Sequence, residues 1–337
     1  MKKFLVWTLI VLFVFSLAGC SSGQKAPEKP KEGEKYLLKL GHVANPANPY
    51  AQAAERLAQL VKERTNGNVE IQVFPSSQLG DQRDLLEGLQ LGTVDATVTS
   101  SAVLAQFAPK AQVIDLPYLF RDKQHVYKVV DGPLAQEIFA GLDKVGMVYM
   151  STWENGFRHL TNSKHPITKP EDMKGLKIRV MENKVYIEMM KALGANPTPM
   201  AMGEVFTALQ QKTVDAQENP ISQIFASRFY EVQKYLTLDG HTYSPSVVVF
   251  SKKTIDKLPK EYVDIIKKTA EEVRDWERKK MADDEAMMLD TCKKNGMEII
   301  ELTPEQKKAF ADAMKPVWAQ FENVVGKDLI EKILATK

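Results

Sequence analysis

The sequence predicts an α/β protein of two similarly built lobes, each a mixed sheet flanked by helices, with one long helix spanning both. Three observations carry that expectation. Strand-like and helix-like segments alternate from Tyr36 to about Val98, the pattern of parallel strands joined by crossover helices. An eight-residue unit, Leu89-Gln90-Leu91-Gly92-Thr93-Val94-Asp95-Ala96, returns 120 positions later as Leu209-Gln210-Gln211-Lys212-Thr213-Val214-Asp215-Ala216, with six positions identical. From Lys260 to Asn295 apolar residues keep a mostly helical spacing for more than 30 residues, longer than an ordinary domain helix.

The elements follow in order. Tyr36 to Val43 is strand-like, and Asn48-Pro49 supplies a cap and a first-turn residue for a helix with Ala51, Ala54, Leu57, Leu60 and Val61 on its apolar face. Gly67 ends that helix, and Val69 to Phe74 alternates as a strand. A further helix from about Gln82 to Leu91 stops at Gly92, before a short strand over Val94 to Val98. In each copy of the repeated unit a helix ends at a tight turn and an Asp follows a Val at a strand edge. Two α/β lobes bound a cleft. In the long helix Val263, Ile266, Ala270, Val273, Trp276, Met281, Met287 and Met288 form the apolar positions, with the methionines as core filler and Gly296 as the stop.

The N-terminal segment reads as an export signal. Lys2 and Lys3 precede an apolar run from Phe4 to about Leu17, too short and too one-sidedly flanked for a stable membrane span. Leu17-Ala18-Gly19-Cys20 resembles the bacterial lipobox, whose Cys is diacylated and becomes the first residue of the mature chain; two acyl chains hold a protein stably on a membrane. Ser21 to Lys35 carries no large apolar side chain and is expected to be a flexible tether. Cys292 is the one other cysteine, so no disulfide forms within the folded body. The formal charge of +2 falls to zero once Lys2 and Lys3 are removed, which leaves no electrostatic footprint for nucleic acid.

The stretch from Asn155 to Pro220 carries the functional signal. It places Arg158 and Arg179 in strand-like apolar surroundings, Arg179 within Gly175-Leu176-Lys177-Ile178-Arg179-Val180. A guanidinium stays charged at any physiological pH, so an arginine there needs an anionic partner, either a ligand or a side chain such as Glu182 or Asp172. A planar fork matches two carboxylate oxygens.

Several motifs, in order, carry a wider likeness: Pro75-Ser76-Ser77-Gln78-Leu79-Gly80, Asp115-Leu116-Pro117-Tyr118, Asn155-Gly156-Phe157-Arg158, Asp172 to Val180, and Asp215-Ala216-Gln217-Glu218-Asn219-Pro220. From about Tyr36 to the last helix the chain resembles the DctP-type solute-binding proteins of TRAP transporters. The resemblance implies a two-lobed fold like that of periplasmic binding proteins. On that reading residues 1–19 are the lipoprotein signal and 20–35 the tether. Residues 36–156 with about 245–284 then form lobe I, and 157–244 with about 285–337 form lobe II. It also implies that Arg179 pairs with a ligand carboxylate in bidentate fashion, that Arg158 reaches the ligand from the hinge side, and that Asn219 hydrogen-bonds it.

From lobe I, His42, Asn45, Asn48, Asp81 and Ser100 are expected to face the cleft. Trp153, Glu182, Tyr243 and His241 complete the candidate set near the hinge. Ser100 stands where sialic-acid-binding members carry an acidic residue, which argues against a glycerol-tailed sugar acid. Met202 stands where relatives often carry Trp or Phe, giving a looser apolar wall. The function implied is capture of an organic acid, a C4-dicarboxylate or a related hydroxy, keto or sugar acid, by cleft closure. Delivery goes to a small four-helix and a large multi-span membrane subunit. The protein is expected to be a monomer on the outer face of the cell membrane, with neither cofactor nor metal.

Other classes receive less support. There is no phosphate loop, no Gly-x-Gly-x-x-Gly after a strand and no His-Glu-x-x-His, and the Cys in the folded body has no neighbouring His. A dispersed hydrolytic triad leaves no local motif and stays as an alternative. Two-lobed binders also serve ABC importers and chemosensors, and the fold alone does not choose among them.

Overall fold

The structure, a computed structural model, describes residues 34–337. The expected signal, Cys20 and nearly all of the tether lie outside the described residues. β1 (Tyr36–His42), β2 (Val69–Phe74) and β3 (Ala96–Ser100) form one parallel group, and β5 (Lys177–Val180), β6 (Asn196–Pro199) and β7 (Ala216–Pro220) form another. Between them run two long antiparallel strands, β4 (Met147–Asn162) and β8 (Tyr235–Ser251), giving the order β2-β1-β3-β8-β4-β7-β5-β6. The order is symmetric about the β8–β4 pair. β9 (Glu298–Glu301) adds to β8 in parallel. Each lobe's sheet is therefore mixed, and the two are joined into one by the shared strands.

The repeated sequence unit is a repeated structure. Helix α1 (Pro49–Arg64), capped by Asn48, links β1 to β2, and helix α2 (Gln82–Leu91), capped by Asp81, links β2 to β3. After α2 the chain turns through Gly92 at φ 81°, and Asp95 then clasps β1: its Oδ2 accepts from Lys39 N at 2.8 Å while its own N–H donates to Lys39 O at 3.0 Å. In the other lobe the helix Val205–Gln210 turns through Lys212 at φ 58°, and Asp215 clasps β5 the same way, accepting from Lys177 N at 3.1 Å and donating to Lys177 O at 2.7 Å. Aspartate suits both places because a short carboxylate reaches the neighbouring strand's amide without leaving its own strand. The strands begin at Ala96 and Ala216, two residues later than the Val94 start expected from the pattern; Val94 and Val214 are core residues of the turn.

β4 and β8 cross from one lobe to the other, and their pairing slips at Tyr149/Ser151, Glu154/Gly156 and Arg158/Leu160. Such bulges bend and twist a strand locally. Gly156 sits in the middle one at φ 123°, a region costly for other residues, and a Cβ there meets Pro220 Cβ at 3.3 Å.

The long helix Lys260–Lys294 is about 50 Å long at 1.5 Å per residue. It packs on α1, on β4 and on the helix Ile221–Ala226, and so touches elements of both groups. Met281 and Met288 are buried as expected, but Met287 is 49% exposed: adjacent helical residues point about 100° apart, and only one of the pair faces the core. Cys292 is a buried free thiol. The last helices, Pro304–Met314, Val317–Val325 and Lys327–Ala335, share a core with residues on either side, including Val113, Ile114 and Met189, and Trp318 Nε1 donates to Pro117 O at 3.0 Å.

Candidate functional site

Where β3, β4, β5, β7 and β8 converge, both parallel groups turn their C-terminal ends toward one partly open cavity with about 20 Å3 of free volume. That is the place an open α/β sheet offers to a ligand. Val43, Tyr50, Gln82, Ser100 and Ser246 line it from the first group's side, and Arg179, Met181, Met202, Asn219 and Gln223 from the second. Asn155 and Arg158 come from the strand between.

Arg179 is 2% exposed. Its Nε and Nη2 both donate to the Met200 carbonyl, at 2.9 and 2.6 Å, which fixes one edge of the guanidinium plane. Its Nη1 is buried with no hydrogen-bond partner among the described residues. It makes no ion pair with Glu182 or Asp172, so the side-chain brace left open by the sequence is absent among the described residues. The end of the fork, Nη1 with the second hydrogen of Nη2, is left for a pair of oxygens. Burial pulls this guanidinium down to about 10, with Glu218 working in the other direction and Arg158 adding to the fall.

Arg158 has a different status. Its Nε and Nη2 lie 2.5 and 3.0 Å from the two carboxylate oxygens of Glu218, a side-on fork between fully buried partners, and Nη2 also donates to Asn219 Oδ1 at 3.0 Å. The Tyr186 ring lies under the guanidinium, 5.4 Å away. Glu218 in turn meets His241 Nε2 at 3.2 Å, and His241 Nδ1 meets Asp239 Oδ2 at 2.8 Å. Burial works against the His241 charge, but Asp239 and Glu218 outweigh it and raise the imidazole to about 9. Burial works against the Glu218 charge too, and Arg158 and His241 outweigh it and hold the carboxyl below its ordinary value. At neutral pH the row therefore reads negative, positive, negative, positive. Asp115, nearby, accepts from Ser101 Oγ and Asn183 Nδ2 at 3.1 Å each, and burial raises it to about 8, so it is largely uncharged.

The two sides of the cavity are in contact at its rim. Asn48 Nδ2 donates to Gln223 Oε1 at 3.1 Å, Asn45 Nδ2 to Ala226 O at 3.1 Å, Gly203 N to Asp81 Oδ2 at 2.9 Å, and Gln106 Nε2 to Glu182 O at 2.8 Å.

Of the residues singled out in the sequence, Arg179, Arg158, Asn219, Met202 and Ser100 line the cavity. Asn219 is held by Arg158 and by Gln217, whose Oε1 accepts from its Nδ2 at 2.5 Å; Ser100 Oγ lies 3.1 Å from Ser244 Oγ. Asn45, Asp81 and Glu182 sit in the rim contacts instead. His42 lies edge-on to Tyr50 and is kept neutral by burial, at about 4. Trp153 is in the core, donating to Ala270 O of the long helix at 2.9 Å. Tyr243 packs edge-on to Phe120 and Phe157, and His241 stands behind Glu218.

Sequence reading passed over Tyr50, Gln82, Gln223, Ser246 and, above all, Glu218. Glu218 lay inside a quoted motif, and a carboxylate next to a buried strand is itself the signal that an arginine nearby is already matched.

A second cavity lies behind the hinge, between the long helix and β4, with Lys123, Glu154, Phe157, Met281 and Glu285 in its wall. Two of its cations are engaged: Lys123 Nζ pairs with Glu154 and Glu285 at 3.0 and 2.6 Å, and Arg121 donates to Leu334 O at 3.2 Å and Thr336 O at 2.5 Å, while Lys307, also in the wall, is exposed to solvent. The buried unmatched charge, that of Arg179, belongs to the front cavity.

Comparison with known proteins gives the family and the fold. Residues 40–323 match the family described as bacterial extracellular solute-binding protein, family 7, DctP. The chain is 36% identical over 303 residues to the 2,3-diketo-L-gulonate-binding periplasmic protein YiaO of Escherichia coli K12, covering 90% of this chain and 89% of that one. The structure of a TRAP periplasmic solute-binding protein from Polaromonas sp. JS666 bound to D-erythronate superposes with a TM-score of 0.87 at 40% identity, covering 90% of this chain and 99% of the other. One from Sulfurospirillum deleyianum with bound succinate also gives 0.87, at 38% identity, over 90% and 100%.

Proposed function

We infer, because the chain belongs to the DctP family of bacterial extracellular solute-binding proteins, that it captures a small organic acid through one carboxylate held by Arg179. It is an extracytoplasmic TRAP solute-binding protein and not an enzyme. The observation that carries the anchor is the buried Nη1 of Arg179, which has no partner among the described residues and borders the cavity. A carboxylate seated on the end of the fork makes two charge-assisted hydrogen bonds in a place without bulk water. The relatives named above bind a diketo sugar acid, a hydroxy acid and a dicarboxylic acid, all of which present a carboxylate.

Arg158 is then a support: matched by Glu218, it holds Asn219 at the cavity wall and adds a second guanidinium face. The rim contacts exist only when the lobes are together, so a ligand that touches both lobes favours closure. Shifting such a pair of states from 1:99 to 99:1 takes roughly 5.5 kcal/mol of differential binding. The closed form delivers its acid to a small and a large membrane subunit, and acyl chains on Cys20 tether the protein to the membrane.

A thermal-shift screen of organic acids, followed by small-angle scattering with each hit, tests the reading. Stabilisation by acids and compaction on binding are expected; hits that are all uncharged, or binding without compaction, overturn it. Replacing Cys20→Ser is expected to move the protein from the membrane fraction to the soluble one.

A further inference from the structure

The charges around the front cavity say how many negative charges its ligand carries. Arg158 is matched by Glu218, and His241 by Asp239. Arg179 alone has no carboxylate within ion-pair distance among the described residues, and Arg158 and Arg179 are the charged side chains in the wall. The first group's side of the wall, across from Arg179's side, contributes Tyr50, Gln82, Ser100 and Ser246, and the strand between contributes Asn155; all five are polar and uncharged. His42, behind Tyr50, supplies no charge at neutral pH because burial keeps it unprotonated.

Asn155, which borders the second cavity as well as this one, adds a sign to the wall. Its Oδ1 is buried with no partner among the described residues. An amide oxygen accepts and cannot donate, so a ligand hydroxyl satisfies it and a carboxylate repels it. Gln82 uses its Oε1 for Thr99 Oγ1 and Ser100 N, at 3.0 and 2.7 Å, which turns its amide nitrogen, a donor, to the cavity side. Donor and acceptor together suit hydroxyl groups, which do both.

We propose that the ligand is a hydroxylated monocarboxylate, whose single charge meets Arg179 and whose hydroxyl end meets Asn155 and Gln82, and that dicarboxylates of the same length are rejected. A second carboxylate at that end is stripped of water without a cation to replace it, which costs far more than a hydroxyl does. The proposal rests on Arg179 being the carboxylate anchor.

Calorimetry on the full mature protein with paired acids tests it. Threonate against tartrate and gluconate against glucarate differ in one terminal group, a hydroxymethyl in the first of each pair and a carboxylate in the second. In any pair that binds, the monocarboxylate is expected to bind at least about tenfold tighter. A dicarboxylate that binds as tightly as its partner overturns the proposal while leaving the anchor intact. If no acid of either kind binds, the anchor itself fails and the proposal with it. Met202→Lys, which adds a cation to the wall at a side chain without hydrogen bonds, is expected to narrow the gap at least about threefold; an unchanged gap in the folded variant counts against the proposal. Should that variant not fold, the wild-type pairs alone decide.

Discussion

Arg158 and Glu218 approach to 2.5 Å in a fully buried side-on fork, whereas Arg179, in the same cavity wall, finds only a backbone carbonyl. Two arginines on neighbouring strand systems thus differ in kind. One is a structural charge, neutralised on folding; the other is neutralised by something the protein must capture. Removing either has opposite consequences for stability and for binding.

Arg179→Met is expected to cut acid affinity at least about 100-fold while moving the melting temperature of the ligand-free protein by only a few degrees. The variant loses the bonds to Met200 O, which costs about 1–3 kcal/mol, and gains by removing a desolvated cation. Calorimetric titration and a thermal melt on one preparation check both halves. Retained affinity would sink the anchor.

Glu218→Gln is expected to destabilise the protein by about 3–5 kcal/mol, since it leaves Arg158 buried without a counter-charge and strips His241 of one partner. Denaturant unfolding measures it. The cost in an Arg158→Met background should be smaller than in the wild type, because neighbours in one network do not add; equal costs in both backgrounds speak against the network.

Stability should be nearly level from about pH 4.5 to 6.5 and fall above it. Burial depresses His42 and His159 to about 4, so between pH 4 and 6.5 the unfolded chain binds two protons there that the native state does not, which by itself makes stability rise with pH. Asp115, raised to about 8, and Glu277, which burial holds well above its ordinary value, oppose that rise with one proton each and roughly cancel it. Above 6.5 the signs agree. Native His241 keeps its proton to about 9 and Asp115 to about 8 after the unfolded chain has released both, so stability falls as pH climbs through those values. The His241 share is on the order of 3 kcal/mol. Unfolding free energies at pH 5, 6.5 and 8.5, with His241→Gln flattening the alkaline limb, provide the check; equal or greater stability at 8.5 would falsify this charge assignment.

Gln106→Ala touches no cavity atom, yet it is expected to weaken acid binding by about two- to tenfold. Its Nε2 donates to Glu182 O across the rim, a bond available only to the closed protein and worth about 0.5–1.5 kcal/mol. The loss should appear as faster release. An unaltered dissociation rate would mean that this contact contributes nothing to closure.

Much of this architecture was legible in the sequence wherever a feature was local. The caps at Asn48 and Asp81, the stop at Gly92 and the helix from Lys260 each follow from residues within a turn or two of one another. The doubled Thr-Val-Asp-Ala pattern proved to be one clasp used twice, because its partners, Lys39 and Lys177, precede it by equivalent paths. Arg179 was legible as a charge in an apolar strand. What escaped reading was pairing at a distance: Glu218 with Arg158 across 60 positions, and Asn45, Asp81 and Glu182 as rim contacts, which depend on how the lobes meet. The reach of β4 and β8 was also hidden, since bulges break the period-two pattern that marks a strand.

The crossing strands also constrain how such a protein can diversify. The chain passes between the two halves through β4, through β8 and again through the long helix, and the cavity draws side chains from both sides of each passage. A single recombination break inside this region joins strands whose offsets were never matched, so exchanging one half for that of a cousin disturbs the joint before it changes the ligand. New preferences are reached more readily by single replacements at wall positions such as Met202, Ser100 and Asn155, which alter what is recognised and leave the joint alone.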